Sequence, residues 1–367
     1  MESNKHKKKQ LDIRSFNYSY RGEAKTEPEI IPVYLDDSSQ SNLKKWLKRI
    51  GIVLAIAILI ALILVGIGYL IVDRTRLKGE EDGRVNILIS GVDEAAKLSD
   101  TLMIISLDTN HEEKADYRAA IISIPRDLYV QIPPFGGNKI NAAYSLGEVP
   151  ANEVQGGGLA LIKETVEDIF DIPVHYQMAV DFQAFEDIVN TVGGITIDVP
   201  KDIYDANYPT PSGNGQQLVQ FKAGKQKMDG ASALKYARSR QSTSDFDRSA
   251  RQQQVMLAVK DKVLSPEFAL DQSKIRSFIS ALQEHIKIDM TTPEILRSVE
   301  IGQAIPDQNI KRHVLDNEDD NLLTATRYRG YTLSPRTGNF VEIQDFINNI
   351  FTKNENTLPK SHLKEVE

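Results

Sequence analysis

The chain has 367 residues, 44 Lys plus Arg against 51 Asp plus Glu, 41% hydrophobic residues and no cysteine, which excludes a disordered, collagenous or disulfide-stapled protein. The absence of cysteine also removes thiolate catalysis, cysteine-ligated zinc and redox switching. A formal charge of -7 argues against a protein that coats nucleic acid through its overall charge.

Residues 1 to 42 are polar, with a basic run at Lys5, Lys7, Lys8 and Lys9, and read as a disordered tail. From Ile50 to Val72 there are 23 residues without a charge, Pro, Asn or Gln. At about 1.5 Å per residue they make roughly 34 Å of helix, enough to cross a hydrocarbon layer of about 30 Å. Trp46, Tyr69, Lys44, Lys45, Lys48 and Arg49 flank the run as interfacial anchors. A cleaved signal peptide would sit near residue 1 and be shorter, so the segment is predicted to be a retained anchor. Residues 1–49 carry 11 Lys or Arg, whereas the basic residues just past the span are interspersed with acidic ones. The tail is therefore predicted to be cytoplasmic and the rest extracytoplasmic.

Residues 73–84 form a charged linker in this reading, and 85–353 a single α/β domain. VNILIS (85 to 90), TLMIISLD (101 to 108) and YRAAIISI (117 to 124) are short, β-branched runs bounded by turn residues, which predicts buried strands. Leu159, Ile162, Val166, Ile169 and Phe170 recur at helical spacing before the strand-like VHYQMAV (174 to 180), an α/β alternation. FQAFEDIVNTV reads as helix and GGITIDV as turn and strand, with a surface loop around 205 to 216. An amphipathic helix is predicted from Arg248 to Val263, two more between Ser273 and Gln303, and a last one within 340 to 351. Residues 354–367 read as a flexible end.

Four segments carry chemistry. Asp93 and Asp100 sit seven residues apart across a tight strand connection, and two carboxylates there suit Mg²⁺ or Mn²⁺ shared with phosphate oxygens; turn formation alone would also explain them. Arg126 follows a buried strand, and Lys139 lies in Asn138-Lys139-Ile140-Asn141, read as a helix start that could face an anion. Arg238, Arg240, Arg248 and Arg251 crowd into 14 residues, the last two on one helical face. A solvated charged face is the ordinary explanation of such a run. No Gly-x-x-x-x-Gly-Lys loop, Gly-x-Ser-x-Gly elbow or His-Glu-x-x-His occurs.

Taken in order, these motifs resemble the LytR-CpsA-Psr family: GVD at 91 to 93, SDT at 99 to 101, SIPRDLYVQIP at 123 to 133, KINAAYSLG at 139 to 147, VDFQAFEDIVNTVGGITIDVP at 180 to 200, MDGASALKYARSR at 228 to 240 and DFDRSARQQQ at 245 to 254. The resemblance implies one extracytoplasmic α-β-α domain, a central mixed sheet flanked by helices, with an apolar pocket for a lipid chain. It implies an enzyme, a Mg²⁺-dependent phosphotransferase that moves teichoic acid, capsule or a similar glycopolymer from a polyprenyl pyrophosphate carrier onto peptidoglycan, with no nucleic acid as partner. Asp93 and Asp100 match its metal-associated carboxylates. Arg126, Lys139, Arg238, Arg240 and Arg248 match its pyrophosphate-binding cations, and Arg251 matches a further arginine on the same helix. Asp245 matches the aspartate that activates the acceptor hydroxyl, ahead of Asp247. One departure is Leu98, where the family usually has arginine; Lys97 is the nearest cation in the chain. A non-catalytic polyprenyl-phosphate or glycan-binding scaffold and a polyprenyl pyrophosphate hydrolase are the alternatives.

Overall fold

The computed structural model describes residues 75–352 except 94–97, 211–214, 241–243, 319–321 and 328–329. The predicted span at 50–72, the tail at 1–49, Lys97 and the end at 354–367 lie outside the described residues. Among the described residues no helix is long and apolar enough to cross a membrane.

The three apolar runs predicted as strands are the middle of the fold. β1 (Arg84–Asp93), β2 (Leu98–Asp108) and β3 (Arg118–Ile124) pair antiparallel in chain order. Their side chains are apolar on both faces, because both faces are covered: Leu88 and Val92 enter one core and Val85 and Ile87 another. β4 (Tyr129–Ile132) and β5 (Gly136–Lys139) form a hairpin, followed by α1 (Ala142–Glu148) and α2 (Gly157–Phe170). The chain then returns through β6 (Tyr176–Val180), parallel to β1.

After α3 (Phe182–Thr191) come β7 (Ile195–Val199), a hairpin of β8 (Ile203–Pro209) and β9 (Gln216–Phe221), and β10 (Gly224–Met228), which pairs with β7. Four helices follow, α4 (Gly230–Arg238), α5 (Asp245–Val263), α6 (Pro266–Ala269) and α7 (Gln272–His285), then β11 (Ile286–Ile288) and α8 (Thr292–Ala304). The described chain ends with β12 (Ile310–Val314), the hairpin β13 (Leu323–Thr326) and β14 (Thr332–Pro335), and α9 (Val341–Asn348).

The central sheet has six strands in the order β11-β6-β1-β2-β3-β12. It is mixed, parallel at β1/β6 and β3/β12 and antiparallel elsewhere. Side chains of α1, α2 and α9 fill the core on one face, and those of α3, α7 and α8 pack with the other, giving the α-β-α layering.

Three stretches differ from their reading in the sequence. Residues 138 and 139 end a strand rather than open a helix: Gly136 takes φ +80°, the left-handed turn that lets Tyr129 pair with Lys139, and α1 starts only at Ala142. Of the segment read as a loop around 205 to 216, residues 205–209 belong to β8 and Gln216 opens β9, with Ile203, Asp205, Tyr208, Val219 and Phe221 pointing inward. From Leu77 onward the predicted linker is packed into the fold. Leu77 is buried, and Glu80 accepts hydrogen bonds from Arg297 on α8.

Helix α5 is tied to the sheet by one buried amide. Gln253 Nε2 donates to Ser123 Oγ at 2.8 Å and to the His313 carbonyl at 2.9 Å, bridging β3 and the end of β12. Gln253→Met is expected to cost roughly 1–3 kcal/mol, since it strips buried groups of their partner; urea unfolding checks this through the midpoint at unchanged m-value.

Candidate active site

A β-bulge places the first site residue. Gly91 pairs with Thr101 and Val92 with Ser99, so Asp100 is the extra residue on β2. A bulge re-aims the side chain it carries, and both Asp100 and Thr101 line the same cavity. Glycine at 91 is required here, because a Cβ would stand 2.9 Å from Thr101 Cβ.

Three arginines from different elements meet at Asp100 and Asp245. Arg126, just past β3, donates from Nη1 to Asp100 Oδ1 at 2.7 Å, and its Nε lies 3.7 Å from Asp245. Arg248 donates to Asp245 Oδ2 at 2.9 Å and to the Asp100 carbonyl at 3.2 Å. Arg240 Nε lies 3.9 Å from Asp245 Oδ1. The fourth cation, Arg238, ends α4 with its guanidinium 3.8 Å from the Phe182 ring centroid and 5.7 Å from that of Tyr208. That stacking, with a hydrogen bond to the Tyr208 hydroxyl, holds a planar cation in place.

Arg126, Arg238, Arg240 and Arg248 all line a cavity of about 880 Å³ between the sheet and the helices. Helix α5 shows its logic. Arg248, Gln252, Val255, Met256, Val259 and Val263 share the face that lines it, at the three-to-four-residue spacing of one helix side. The wall is thus charged at the helix start and apolar at Val255, Met256, Val259 and Val263, with Gln252 between them and Arg248, and with Lys260, paired with Asp261 and Asp307, towards the far end. Leu98, in place of the arginine expected from the family resemblance, adds to the apolar lining.

Burial sets the electrostatics. Arg248 is 4% exposed, and burial, partly offset by Asp245, brings its pKa down to about 10. Arg240 is also lowered, by burial and then by the neighbouring Arg126 charge. Arg126 goes the other way: burial lowers it, but Asp245 and Asp100 together outweigh that. For Asp100 burial raises the pKa, yet the Arg126 hydrogen bond and the charges of Arg126, Arg248 and Arg240 leave it below the ordinary value. The Nε atoms of Arg126 and Arg248 are buried with no hydrogen-bond partner among the described residues. Unfilled donors of this kind fit a site awaiting an anion.

The remaining expected residues stand apart from that centre. Lys139 Nζ bonds Asp127 Oδ1 at 2.6 Å, and neither residue belongs to the cavity lining. Arg251 is buried and donates to the Tyr236 carbonyl at 3.0 Å and to the Ser239 carbonyl. It therefore holds the end of α4, and through it the segment carrying Arg238 and Arg240. Asp247 closes the capping box of α5 with Ser244, which leaves Asp245 as the aspartate that faces the arginines.

Sequence reasoning passed over three positioning groups. Asp205, 4% exposed, accepts from the Arg240 backbone N-H at 2.8 Å, while Phe182 and Tyr208 carry Arg238. An inward aspartate in the alternating pattern of β8 was the available signal. For a divalent ion, Asp100 offers a carboxylate on the cavity wall, and Asp93, half-buried, ends the neighbouring strand. Among the described residues no three acidic or histidine side chains cluster. Carboxylates are the ligand type that Mg²⁺ or Mn²⁺ takes alongside phosphate oxygens and water; Asp100 lines the cavity and Asp93 is not part of that lining.

A family model described as the LytR_cpsA_psr family matches residues 71–337. The chain belongs to the LytR-CpsA-Psr family. It is similar to the polyisoprenyl-teichoic acid–peptidoglycan teichoic acid transferase TagV of Bacillus subtilis, 31% identical over 235 residues, covering 61% of this chain and 54% of that protein. The transferase TagT of the same organism is 33% identical over 192 residues, 51% of this chain and 56% of that one. The regulatory protein MsrR of Staphylococcus aureus is 30% identical over 192 residues, 51% of each chain. The matches thus span about half the length of these curated relatives. The crystal structure of B. subtilis TagV aligns with a TM-score of 0.57 at 27% identity, over 74% of this chain and 98% of that one.

The position of Asp100 makes stability depend on pH with a definite sign. Its pKa is lower in the folded protein than in the unfolded chain, so its contribution is complete above the ordinary value of 3.8 and is lost as pH falls through the lower folded value. Wild type is expected to melt a few degrees above Asp100→Asn at pH 7, with the gap closing at more acid pH. A gap that stays constant from pH 7 to 3 would contradict this account.

Proposed function

We propose that the protein is a membrane-anchored phosphotransferase that moves an anionic glycopolymer, a teichoic acid, capsular polysaccharide or similar polymer, from a polyprenyl pyrophosphate carrier onto peptidoglycan. One observation carries this reading: four arginines border an apolar cavity that continues along α5. An amphiphile with a diphosphate head and a hydrocarbon tail matches that division, and the names of the relatives TagV and TagT point to the same class of donor. The apolar segment at 50–72 would keep the site at the outer membrane surface, where such a lipid resides.

In the reaction, the acceptor hydroxyl oxygen bonds to the phosphorus that bears the glycan. The bond from that phosphorus to the bridging oxygen breaks, and polyprenyl phosphate leaves with the electron pair. Arg126, Arg240 and Arg248 neutralise the diphosphate and the charge developing on the leaving group, and fixed positive groups in a partly dry site do this effectively. Arg238, braced by its two rings, adds a planar donor fork. As phosphate oxygens take over the arginine donors, Asp245 is released from them and accepts the hydroxyl proton. Asp93 and Asp100 would hold Mg²⁺ or Mn²⁺ against the phosphate oxygens, where such an ion supplies Lewis-acid stabilisation of the leaving phosphate. With water as acceptor the same groups would perform simple hydrolysis.

The test is transfer by the full chain in lipid vesicles, from a polyprenyl pyrophosphate glycan to a peptidoglycan acceptor. Arg240→Ala is expected to lower the rate on the order of 100-fold or more, and an unchanged rate would refute the assignment. Chelation of divalent ions should stop wild-type transfer, and added Mg²⁺ should restore it in wild type but not in Asp100→Ala.

A further inference from the structure

The arginine cluster has two sides. Asp100, Arg126, Arg240 and Arg248 line the apolar cavity, whereas Asp245, Asp127, Lys139 and Tyr331 are not part of that lining. If the lipid tail lies on the cavity side, the acceptor sugar must approach Asp245 from the other. The groups found there belong partly to a segment beyond the family motifs.

That segment is the hairpin β13/β14. The Leu333 N-H donates to the Asp127 carbonyl at 2.9 Å, and Leu333 forms a parallel bridge with Leu128. Residues 331 to 333 therefore run alongside 127 and 128, next to Arg126. Leu333 and Thr332 are buried and fix the strand, while Tyr331 remains 51% exposed. Burial and then the charges of Asp127 and Asp245 raise the phenol above its ordinary pKa, in keeping with the place beside Asp127 that the strand pairing gives residue 331. A half-exposed aromatic ring two residues from the Leu333 pairing with Asp127 and Leu128, next to Arg126, is amphipathic where a sugar needs it to be, with an apolar face for C-H groups and a hydroxyl for hydrogen bonding. The Lys139–Asp127 pair at 2.6 Å offers further polar contacts beside it.

We propose that Tyr331 is an acceptor-positioning residue, whose ring is the platform for the accepting sugar of peptidoglycan on the solvent side of the arginine cluster. This rests on the transferase reading above. It gives the C-terminal hairpin a role: the strand pairing at Leu333 holds the platform in register with Arg126, so donor and acceptor are placed by two parts of one rigid fold.

The experiment measures KM for each substrate with the full chain in vesicles, using a polyprenyl pyrophosphate glycan donor and a short soluble peptidoglycan oligosaccharide as acceptor. In Tyr331→Ala the acceptor KM should rise about tenfold, the size of one lost ring contact, while the donor KM moves less than about twofold. Tyr331→Phe, which keeps the ring, should retain an acceptor KM near wild type. An unchanged acceptor KM in Tyr331→Ala, an equal rise for donor and acceptor, or a loss in Tyr331→Phe as large as in Tyr331→Ala would each overturn the inference. Arg240→Ala in the same assay separates the two levels. If it is inactive while Tyr331→Ala behaves as wild type, only the acceptor platform falls; if it transfers normally, the transferase reading falls with it.

Discussion

Burying the Arg248 charge is the constraint on which the site depends. Taking a guanidinium out of water is costly unless charged partners surround it, and this one is almost fully enclosed. Its partners come from two directions, Asp245 three residues back on the same helix and the Asp100 carbonyl on the β2 bulge. The start of α5 is therefore locked to the first residues of β2, an interior strand of the central sheet. Gln253 makes the second tie about one and a half turns further along, to β3 and β12. Between these two ties the helix has little freedom to shift, and its remaining face becomes the cavity wall.

The arginine excess at this point is an arrangement that suits a bound anion better than an empty site. Arg240 and Arg126 press on the charged state of Arg248, and burial adds to the effect. Asp100 and Asp245 compensate only in part, leaving two arginine Nε atoms without hydrogen-bond partners among the described residues. A diphosphate would satisfy these donors and relieve the repulsion among the cations. The same relief would transfer the arginines from Asp245 to the substrate, which is what a proton acceptor needs at that moment. Binding and activation are thus one electrostatic event in this account.

Much of the fold was legible because the strands are short β-branched runs between turn residues and the main helices have clear apolar periods. The amphipathic character of α5, and with it one face free to line a cavity, shows in the three-to-four-residue spacing of its apolar side chains. The hairpin of β8 and β9 was hidden because two outward residues, Tyr204 and Leu218, are bulky and largely apolar and one inward residue, Asp205, is charged, so period-two alternation was faint. Lys139 was misplaced because a glycine turn, not a helix start, precedes it. Arg251 matched the family pattern in type and spacing, but only the fold shows that its guanidinium faces carbonyls of α4 and its C-cap rather than the cavity. Tyr331 had no local signal at all, since its importance arises from the pairing of Leu333 with Leu128, far back in the chain.

The central claim, that one site accepts a charged head and an apolar tail together, is tested most directly by binding. The full chain in detergent micelles would be titrated with a polyprenyl pyrophosphate and with the corresponding uncharged prenol. The account predicts that the pyrophosphate binds at least about 100-fold tighter, a difference of roughly 2.7 kcal/mol, and that the advantage largely disappears in Arg240→Ala. Equal affinity for the two lipids in the wild type would contradict it.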